Sequence, residues 1–168
     1  MFIDLSWTLQ PSYGGTQYWL LVMDDCTGYV WSFLLHTKAE LADTVLALRR
    51  RLKQQGITVK YIRCDNAGEN NSLQDAIGKH PTLKVTFEYS PRDSPQYNGK
   101  VERRFQFLWN GVRSVLNAAK LPEWLRHGLW AEAGNFVQQV ADQLVTSTKK
   151  QEGSSYQQFQ YPRRSCSV

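Results

Sequence analysis

The sequence predicts an α/β domain in which a mixed five-stranded sheet is flanked by helices. The first part of the chain holds short apolar runs separated by turn residues, a pattern that indicates three antiparallel strands. The second part alternates apolar strands with stretches of helical periodicity, as chains with neighbouring parallel strands do. The length of 168 residues suits one domain with a substantial core.

The first three predicted strands cover residues 2–9, 17–23 and 29–35. The connecting segments 11–15 and 24–28 contain the Pro, Gly, Asp and Ser residues that favour turns, so the strands should form an antiparallel meander.

A helix is predicted to follow the meander. Thr37 and Glu40 have the spacing of a capping box, and Gly56 supplies a stop. Apolar residues at helical spacing should face the core: Leu41, Val45, Leu48 and Leu52. Basic residues should lie mostly on the outer side: Arg49, Arg50, Arg51 and Lys53.

The remaining elements alternate. Strands are predicted over residues 57–64 and 83–89, with a short helix between them that runs from caps at 70–72 to about residue 79. An exposed loop over 90–99 leads into a long helix from about 100 to 119, and Pro122 begins another helix that reaches about residue 145. We therefore expect a core domain over 1–147, then a polar linker over 148–168 with a short helical turn and a frayed tail.

The charge of the chain is unevenly distributed. The net charge is +5, but the first 48 residues carry one Lys against five acids, and the remainder carries 19 basic and 10 acidic residues. A basic second half favours a polyanionic partner, although an ordinary solvated surface has the same composition. No run of 18 apolar residues occurs, so no membrane span is expected.

Three acidic residues fall on three different predicted elements. Asp4 lies in the first strand, Asp65 ends the fourth, and Glu102 lies early in the long helix. If the fold brings them together, cations must offset their repulsion, as in two-metal phosphoryl-transfer sites. Each also has a simpler interpretation, as a turn cap or a surface acid. The adjacent Asp24 and Asp25 compete with Asp4 for the first position, although a turn explains them too.

Several motifs together resemble the catalytic cores of retroviral-type integrases. These are Asp4, YWLLVMDDCTGYVW (18–31), IRCDNAGEN (62–70), SPQYNGKVERRFQFL (94–108) and LPEWLRHGLWAEAGNFV (121–137). The chain is similar to these DDE enzymes over roughly residues 3–145, and in particular to integrases of copia-type retrotransposons. The resemblance implies a ribonuclease-H-like fold, three antiparallel strands followed by two parallel ones.

The resemblance also implies a function. It makes Asp4, Asp65 and Glu102 the catalytic ligands of two Mg²⁺ (or Mn²⁺) ions in a polynucleotidyl transferase that performs 3′-end processing and strand transfer of retroelement DNA into target DNA. The segment 90–99 becomes an active-site loop that approaches DNA. Basic residues near the site are expected to contact phosphates: Arg92, Lys100, Arg103 and Arg104. Polar residues of the loop are expected to touch bases or the strand end: Gln96, Tyr97 and Asn98.

Two other functions remain open from the sequence. A ribonuclease-H-like hydrolytic nuclease would use the same fold, with Glu40 as an additional acid. A domesticated, non-catalytic DNA-binding or assembly module would retain the fold without the reaction. For an integrase core we expect a homo-oligomer, flanking domains supplied by a polyprotein, and action in the nucleus after passage through cytoplasmic particles.

Overall fold

The structure, a computed structural model, describes residues 1–90 and 98–144 together with residues 157 and 159. Its strands are β1 (Phe2–Trp7), β2 (Tyr18–Met23), β3 (Val30–Leu35), β4 (Tyr61–Cys64) and β5 (Thr86–Tyr89). They form one sheet in the order β3-β2-β1-β4-β5. β1, β2 and β3 pair antiparallel, whereas β1, β4 and β5 run parallel. The predicted fold class is therefore confirmed.

The helices lie on the two faces of this sheet. They are α1 (Glu40–Gln54), α2 (Gly68–Gly78), α3 (Gly99–Ala118), α4 (Glu123–Arg126) and α5 (Trp130–Gln143). Short 3₁₀ turns occupy Pro81–Leu83 and His127–Leu129. Within the described part of the chain, no helix is long and apolar enough to cross a bilayer.

Alternation along β1 divides the core into two layers. Ile3 points to the face covered by α1 and α2, and Phe2 points to the face covered by α3 and α5. Successive side chains of a strand point to opposite faces, so each apolar strand fills both layers. Residues that follow Phe2 at steps of two, beginning with Asp4, consequently face the layer of α3.

Close backbone contact joins α3 to α5. A Cβ atom added to Gly111 of α3 would lie 2.5 Å from Cγ1 of Val137 on α5, so glycine permits this approach. Trp109 and Trp130 fill the same layer, with ring centroids 5.6 Å apart. The packed pair of helices fixes the direction in which the first turn of α3 projects over the sheet.

The sequence predicted one continuous helix from Pro122 to about residue 145, and this was wrong. The segment is divided into α4, a 3₁₀ turn and α5. Tyr13 explains the break, because its N–H donates to the oxygen of Gly128 over 2.9 Å and its hydroxyl donates to the oxygen of Trp124. The Tyr13 ring also occupies the space where a Gly128 side chain would lie, with a carbon 2.4 Å from the added Cβ.

Other boundaries also differ from the predicted ones. β4 begins at Tyr61 rather than residue 57, and α2 begins at Gly68, with Ala67 rather than an Asn as its N-cap. The Glu40 carboxylate accepts hydrogen bonds from the N–H and the hydroxyl of Thr37, so the predicted contact between them forms, although α1 itself begins at Glu40.

One residue of the predicted outer face of α1 is buried. Arg49 is only 5% exposed, although Arg50, Arg51 and Lys53 are exposed as expected. The chain that leads from α1 into β4 covers this end of the helix, and the Nη2 of Arg49 donates to the oxygen of Val59. Residues 91–97 of the loop expected at 90–99 lie outside the described residues, as does the linker expected at 148–168 apart from residues 157 and 159.

Candidate active site

The pairing of β1 with β4 determines where two of the three acids lie. Phe2 pairs with Arg63 in the parallel register, and the guanidinium carbon of Arg63 lies 5.1 Å from the centre of the Phe2 ring. Both side chains therefore lie on the same face. Continuing the register by two residues places Asp65, just after β4, beside Asp4 on this face.

Asp65 is held by the beginning of α2. The Nδ2 of Asn70 donates to the Asp65 Oδ1 over 2.6 Å and to the Asp65 main-chain oxygen over 3.2 Å. The N–H of Ala67 also donates to Oδ1, over 3.2 Å. Both side-chain hydrogen bonds go to Oδ1, and within the described residues Oδ2 accepts none. Asn70 is 4% exposed, so a buried amide fixes an exposed carboxylate.

Glu102 belongs to the first turn of α3. Its N–H donates to the oxygen of Asn98 over 3.2 Å, which places it at the helix start, where a carboxylate interacts favourably with the helix dipole. Val101 is fully buried against the sheet and Glu102 is exposed. The helix thus presents Glu102 at the edge of the layer that contains Asp4.

The electrostatics connect the three acids. Burial is the main cause that raises the pKa of Asp4 to about 6, and the N–H of Leu5 opposes this by donating to its Oδ1. The negative charges of Asp65 and Glu102 raise the pKa of Asp4 further. Charges in protein affect one another at short range, because salt and solvent screen distant ones. The three carboxylates consequently share one electrostatic environment.

The three acids match a divalent cation in donor chemistry but not in their described positions. In the described ranges 1–90 and 98–144, no group of three or more His, Cys, Asp or Glu side chains is positioned to hold an ion jointly. The donors are nevertheless of the right kind, because Mg²⁺ and Mn²⁺ prefer carboxylate oxygens. The negative charges of Asp65 and Glu102 help to raise the pKa of Asp4, and a bound cation would neutralise these charges. The acids therefore fit a metal in chemistry, although the described positions do not hold one jointly.

The competing acids have other partners. Asp24 Oδ2 accepts hydrogen bonds from the N–H and hydroxyl of Thr27. Asp24 therefore stabilises the turn between β2 and β3, which is the simpler role that the sequence offered for it. Asp25 forms an ion pair with Lys100 at the start of α3. The carboxylate of Glu40 is occupied by N–H groups at the start of α1, and these contacts lower its pKa. None of these acids takes the position of Asp4.

The basic residues expected near DNA differ in their surroundings. Arg103 is exposed, and its Nε donates to the oxygen of Gly99 over 3.1 Å. Lys100 pairs with Asp25, but both side chains remain about half exposed, so this is a surface pair of small energetic weight. Arg103 and Lys100 thus lie on the first turn of α3 beside Glu102, and their contacts with DNA remain predictions.

Of the other residues predicted to contact DNA, two are largely buried and three lie outside the described residues. Arg104 donates to Asp142 of α5 over 2.9 Å with both side chains largely buried. Asn98 is 4% exposed, and among the described residues its Oδ1 has no hydrogen-bond partner. Arg92, Gln96 and Tyr97 lie outside the described residues.

The sequence alone did not indicate the role of Asn70, which was expected only to cap a helix. The signal was present, because a strand-ending Asp followed within five residues by a polar Asn can form a turn stabilised by side-chain hydrogen bonds. What the sequence lacked was the direction of α2, which points the Asn70 amide back at Asp65.

The chain is similar to segments of retrotransposon polyproteins. It is 30% identical over 125 residues to the retrovirus-related Pol polyprotein of transposon TNT 1-94 from Nicotiana tabacum, over 73% of the chain and 9% of that polyprotein. It is 26% identical over 108 residues to the Pol polyprotein of transposon RE2 from Arabidopsis thaliana, over 64% of the chain and 7% of that polyprotein. The chain thus spans less than a tenth of these relatives. No family model matches it.

Solved structures share the fold. The simian T-cell lymphotropic virus intasome, solved in complex with the PP2A regulatory subunit B56 gamma, contains a chain that matches 99% of this protein with a TM-score of 0.68 and 16% identity, over 56% of that chain. The HTLV-2 integrase catalytic core domain, solved with magnesium in a trimeric form, matches 93% of this protein with a TM-score of 0.60 and 16% identity, over 92% of that domain.

The fold of the described residues is therefore that of retroviral integrase catalytic cores. The chain also resembles segments of retrotransposon Pol polyproteins, and the two comparisons together confirm the resemblance drawn from its motifs.

Proposed function

We propose that this protein is the catalytic core of a DNA integrase, a metal-dependent polynucleotidyl transferase that trims retroelement DNA ends and joins them to target DNA. The observation that carries the proposal is the shared environment of three carboxylates from β1, the end of β4 and the start of α3. Asp4 is partly buried, and after desolvation the charges of Asp65 and Glu102 contribute to its raised pKa. Like charges gathered in this way are typical of sites that bind cations and act on phosphate.

Asp4, Asp65 and Glu102 would hold Mg²⁺ or Mn²⁺, and two such ions when bound supply activation of the attacking oxygen and stabilisation of the leaving 3′-oxygen. The protein supplies position and charge. Asn70 fixes the rotamer of Asp65 through Oδ1, which directs Oδ2 away from α2. Asp4 belongs to a central strand of the sheet, whereas Glu102 lies on the first turn of α3.

The remaining roles belong to the surface around the site. Arg103 and Lys100 on the same turn as Glu102 would neutralise DNA phosphates and orient the strand end. Action within an oligomer and together with other segments of a polyprotein is part of the proposal, as is action on chromosomal DNA in the nucleus. The trimeric HTLV-2 core supports the oligomer, and the polyprotein relatives support the flanking segments.

Joining exchanges one phosphodiester for another, so its reversal can be followed on a branched DNA that represents the joined product. We would assay the 168-residue chain, and in parallel a longer protein with the flanking polyprotein segments, in Mg²⁺, Mn²⁺ and EDTA. The proposal expects metal-dependent resolution of the branch that Asp65→Asn abolishes. Resolution that persists in EDTA, or in the variant, would contradict it.

The alternatives are separated by the same reagents. Metal-dependent cleavage of the RNA strand of a hybrid, without any joining or its reversal, would select a ribonuclease-H-like nuclease. DNA binding without metal-dependent chemistry in either protein would select the non-catalytic assembly module.

A further inference from the structure

A buried arginine lies at the edge of the sheet opposite to the three acids. Arg49 of α1 is 5% exposed, and its Nη2 makes a long hydrogen bond of 3.4 Å to the oxygen of Val59. Within the described residues, its Nε and Nη1 are buried and have no hydrogen-bond partner. A guanidinium is always charged, and burying it without partners is costly. These donors therefore indicate an acceptor that the fold does not itself provide.

Arg49 lines a cavity of about 80 Å³. It lies between the last turns of α1 and the two segments that lead into β4 and β5. Lys53 and Lys84 line it together with Thr58 and Thr82, and no Asp or Glu belongs to its described lining. The Nζ of Lys53 donates to the oxygen of Thr82 over 2.9 Å, which ties the helix to the opposite wall.

The segments that line the cavity contain basic residues and no acidic ones. Residues 44–64 and 76–87, which supply every lining residue, contain eight Lys and Arg residues and no Asp or Glu. Burial lowers the pKa of Arg49, so the protein pays a desolvation cost to keep this cation inside. An ordinary basic surface would keep its charges in water, as Arg50 and Arg51 do.

We propose that this cavity is a phosphate site in which Arg49 is the buried cation and Lys53 and Lys84 are the cations at the rim. Oxyanions match guanidinium and ammonium donors in charge and hydrogen bonding. The cavity exceeds the roughly 30 Å³ that one water occupies. It is well below the roughly 300 Å³ of the smallest pockets for drug-sized ligands. A single phosphate group fits this range, and a whole nucleotide does not.

The site is separate from the proposed catalytic one. Its residues precede β4 and β5, whereas Asp65 follows β4, and parallel strands begin at one edge of a sheet and end at the other. Six residues of extended chain from Val59 to Asp65 span about 20 Å. The phosphate could come from free orthophosphate or from a DNA backbone, and the proposal concerns the chemistry that the two share.

The first test is the melting temperature of the 168-residue chain at constant ionic strength, in chloride and with increasing orthophosphate. The wild type should gain roughly 5 to 10 °C when phosphate is about 100 times its Kd. Arg49→Met, which keeps an unbranched side chain of similar length, should lose this gain. Arg51→Met on the exposed face of α1 is the matched control and should keep it, which corrects for the general salting effect of phosphate.

No gain in the wild type, or an equal gain in Arg49→Met, would overturn the proposal. If Arg49→Met does not fold, Lys84→Met decides the matter, since Lys84 is exposed and its replacement should not disturb the core. The Kd for phosphate, from the broadening of its ³¹P resonance, should rise at least severalfold in Lys84→Met. A Kd equal to that of Arg51→Met would overturn the site.

The source of the phosphate is settled by adding short duplex DNA to the phosphate-loaded protein. If DNA displaces phosphate in the wild type, and Arg49→Met or Lys84→Met weakens DNA binding relative to Arg51→Met, the site binds a backbone phosphate. If DNA binds without displacing phosphate, the site takes the free anion. Both results depend on the phosphate-dependent gain found first.

Discussion

Asn70 and Asp65 form a pair in which a buried amide holds an exposed carboxylate, with 2.6 Å between the Asn70 Nδ2 and the Asp65 Oδ1. The same amide group also donates to the Asp65 main-chain oxygen. Asp65 follows directly after β4, where the chain leaves the sheet, and without Asn70 only the N–H of Ala67 would hold its side chain. The orientation of the Asp65 carboxylate in the proposed site therefore depends on the position of α2.

Asn70→Leu should impair the reaction without unfolding the protein. Leu removes the amide that fixes Asp65, but it also removes the Asn70 Oδ1, which is buried without a partner among the described residues. We expect the Mg²⁺ needed for half-maximal branch resolution to rise about 10- to 100-fold. The exposed neighbour Asn71→Leu is the control, and an unchanged Mg²⁺ requirement in Asn70→Leu would remove the positioning role.

Glu102→Gln should abolish metal-dependent cleavage and joining while leaving the fold intact. Gln keeps the size and helix propensity, so α3 should form as before. It removes a carboxylate that a hard cation prefers, and several kcal/mol of charge stabilisation correspond to a rate loss of roughly 1000-fold or more. Rates should be compared with those of Glu123→Gln, an exposed glutamate in the first turn of α4.

The binding of DNA should remain in Glu102→Gln, because affinity rests mainly on Lys and Arg. Wild-type rates in this variant would exclude Glu102 from the mechanism. An unfolded variant, seen by circular dichroism, would instead show that Glu102 is structural.

Arg103 should contribute to salt-dependent DNA binding more than Arg104 does. Arg103 is exposed, so Arg103→Gln should lower the slope of log K against log salt by about 1. Arg104 is paired with Asp142 between α3 and α5. Arg104→Gln should therefore leave Asp142 without its cationic partner, with only the Gln138 amide still donating to it, and destabilise the protein by about 1–3 kcal/mol.

Fluorescence anisotropy with labelled duplex DNA across a salt series measures the slopes, and urea unfolding measures stability. An unchanged slope in Arg103→Gln would place the DNA path elsewhere. A larger loss of slope in Arg104→Gln than in Arg103→Gln, at unchanged stability, would show that the pair with Asp142 opens for DNA.

Gly111→Ala should destabilise the protein although alanine favours helices. The new Cβ would lie 2.5 Å from Cγ1 of Val137, and such overpacking costs about 1–3 kcal/mol. Adding Val137→Ala should recover much of the loss in urea unfolding, because the two positions touch. Gly78→Ala at the end of α2, where the added Cβ meets nothing within 4 Å, should instead be neutral or stabilising. Equal effects at the two glycines would contradict the close approach of α3 and α5.

The sheet and the placement of its acids could be predicted because both depend on local patterns. Alternating apolar runs and turn residues define the strands, and Asp65 and Glu102 follow directly from where β4 ends and α3 begins.

Features that depend on distant contacts could not be predicted in this way. The helix break at Gly128 is caused by Tyr13, more than a hundred residues earlier, and no local signal announces it. The burial of Arg49 depends on the path of the chain into β4, which helical spacing does not reveal. Asn is a residue type that often caps helices, so the sequence predicted only a capping role for Asn70. Its contact with Asp65 depends on the direction of α2, which is a tertiary property.

The pairing of β1 with β4 has a consequence for folding. The pairing of Phe2 with Arg63 closes a long loop that contains β2, β3 and α1. Closing so long a loop is entropically costly and slows folding. The hairpins of β1, β2 and β3 use local contacts and should form early. This non-local pairing brings β4, and with it Asp65, beside β1, so chains that have not yet formed it should lack the proposed activity.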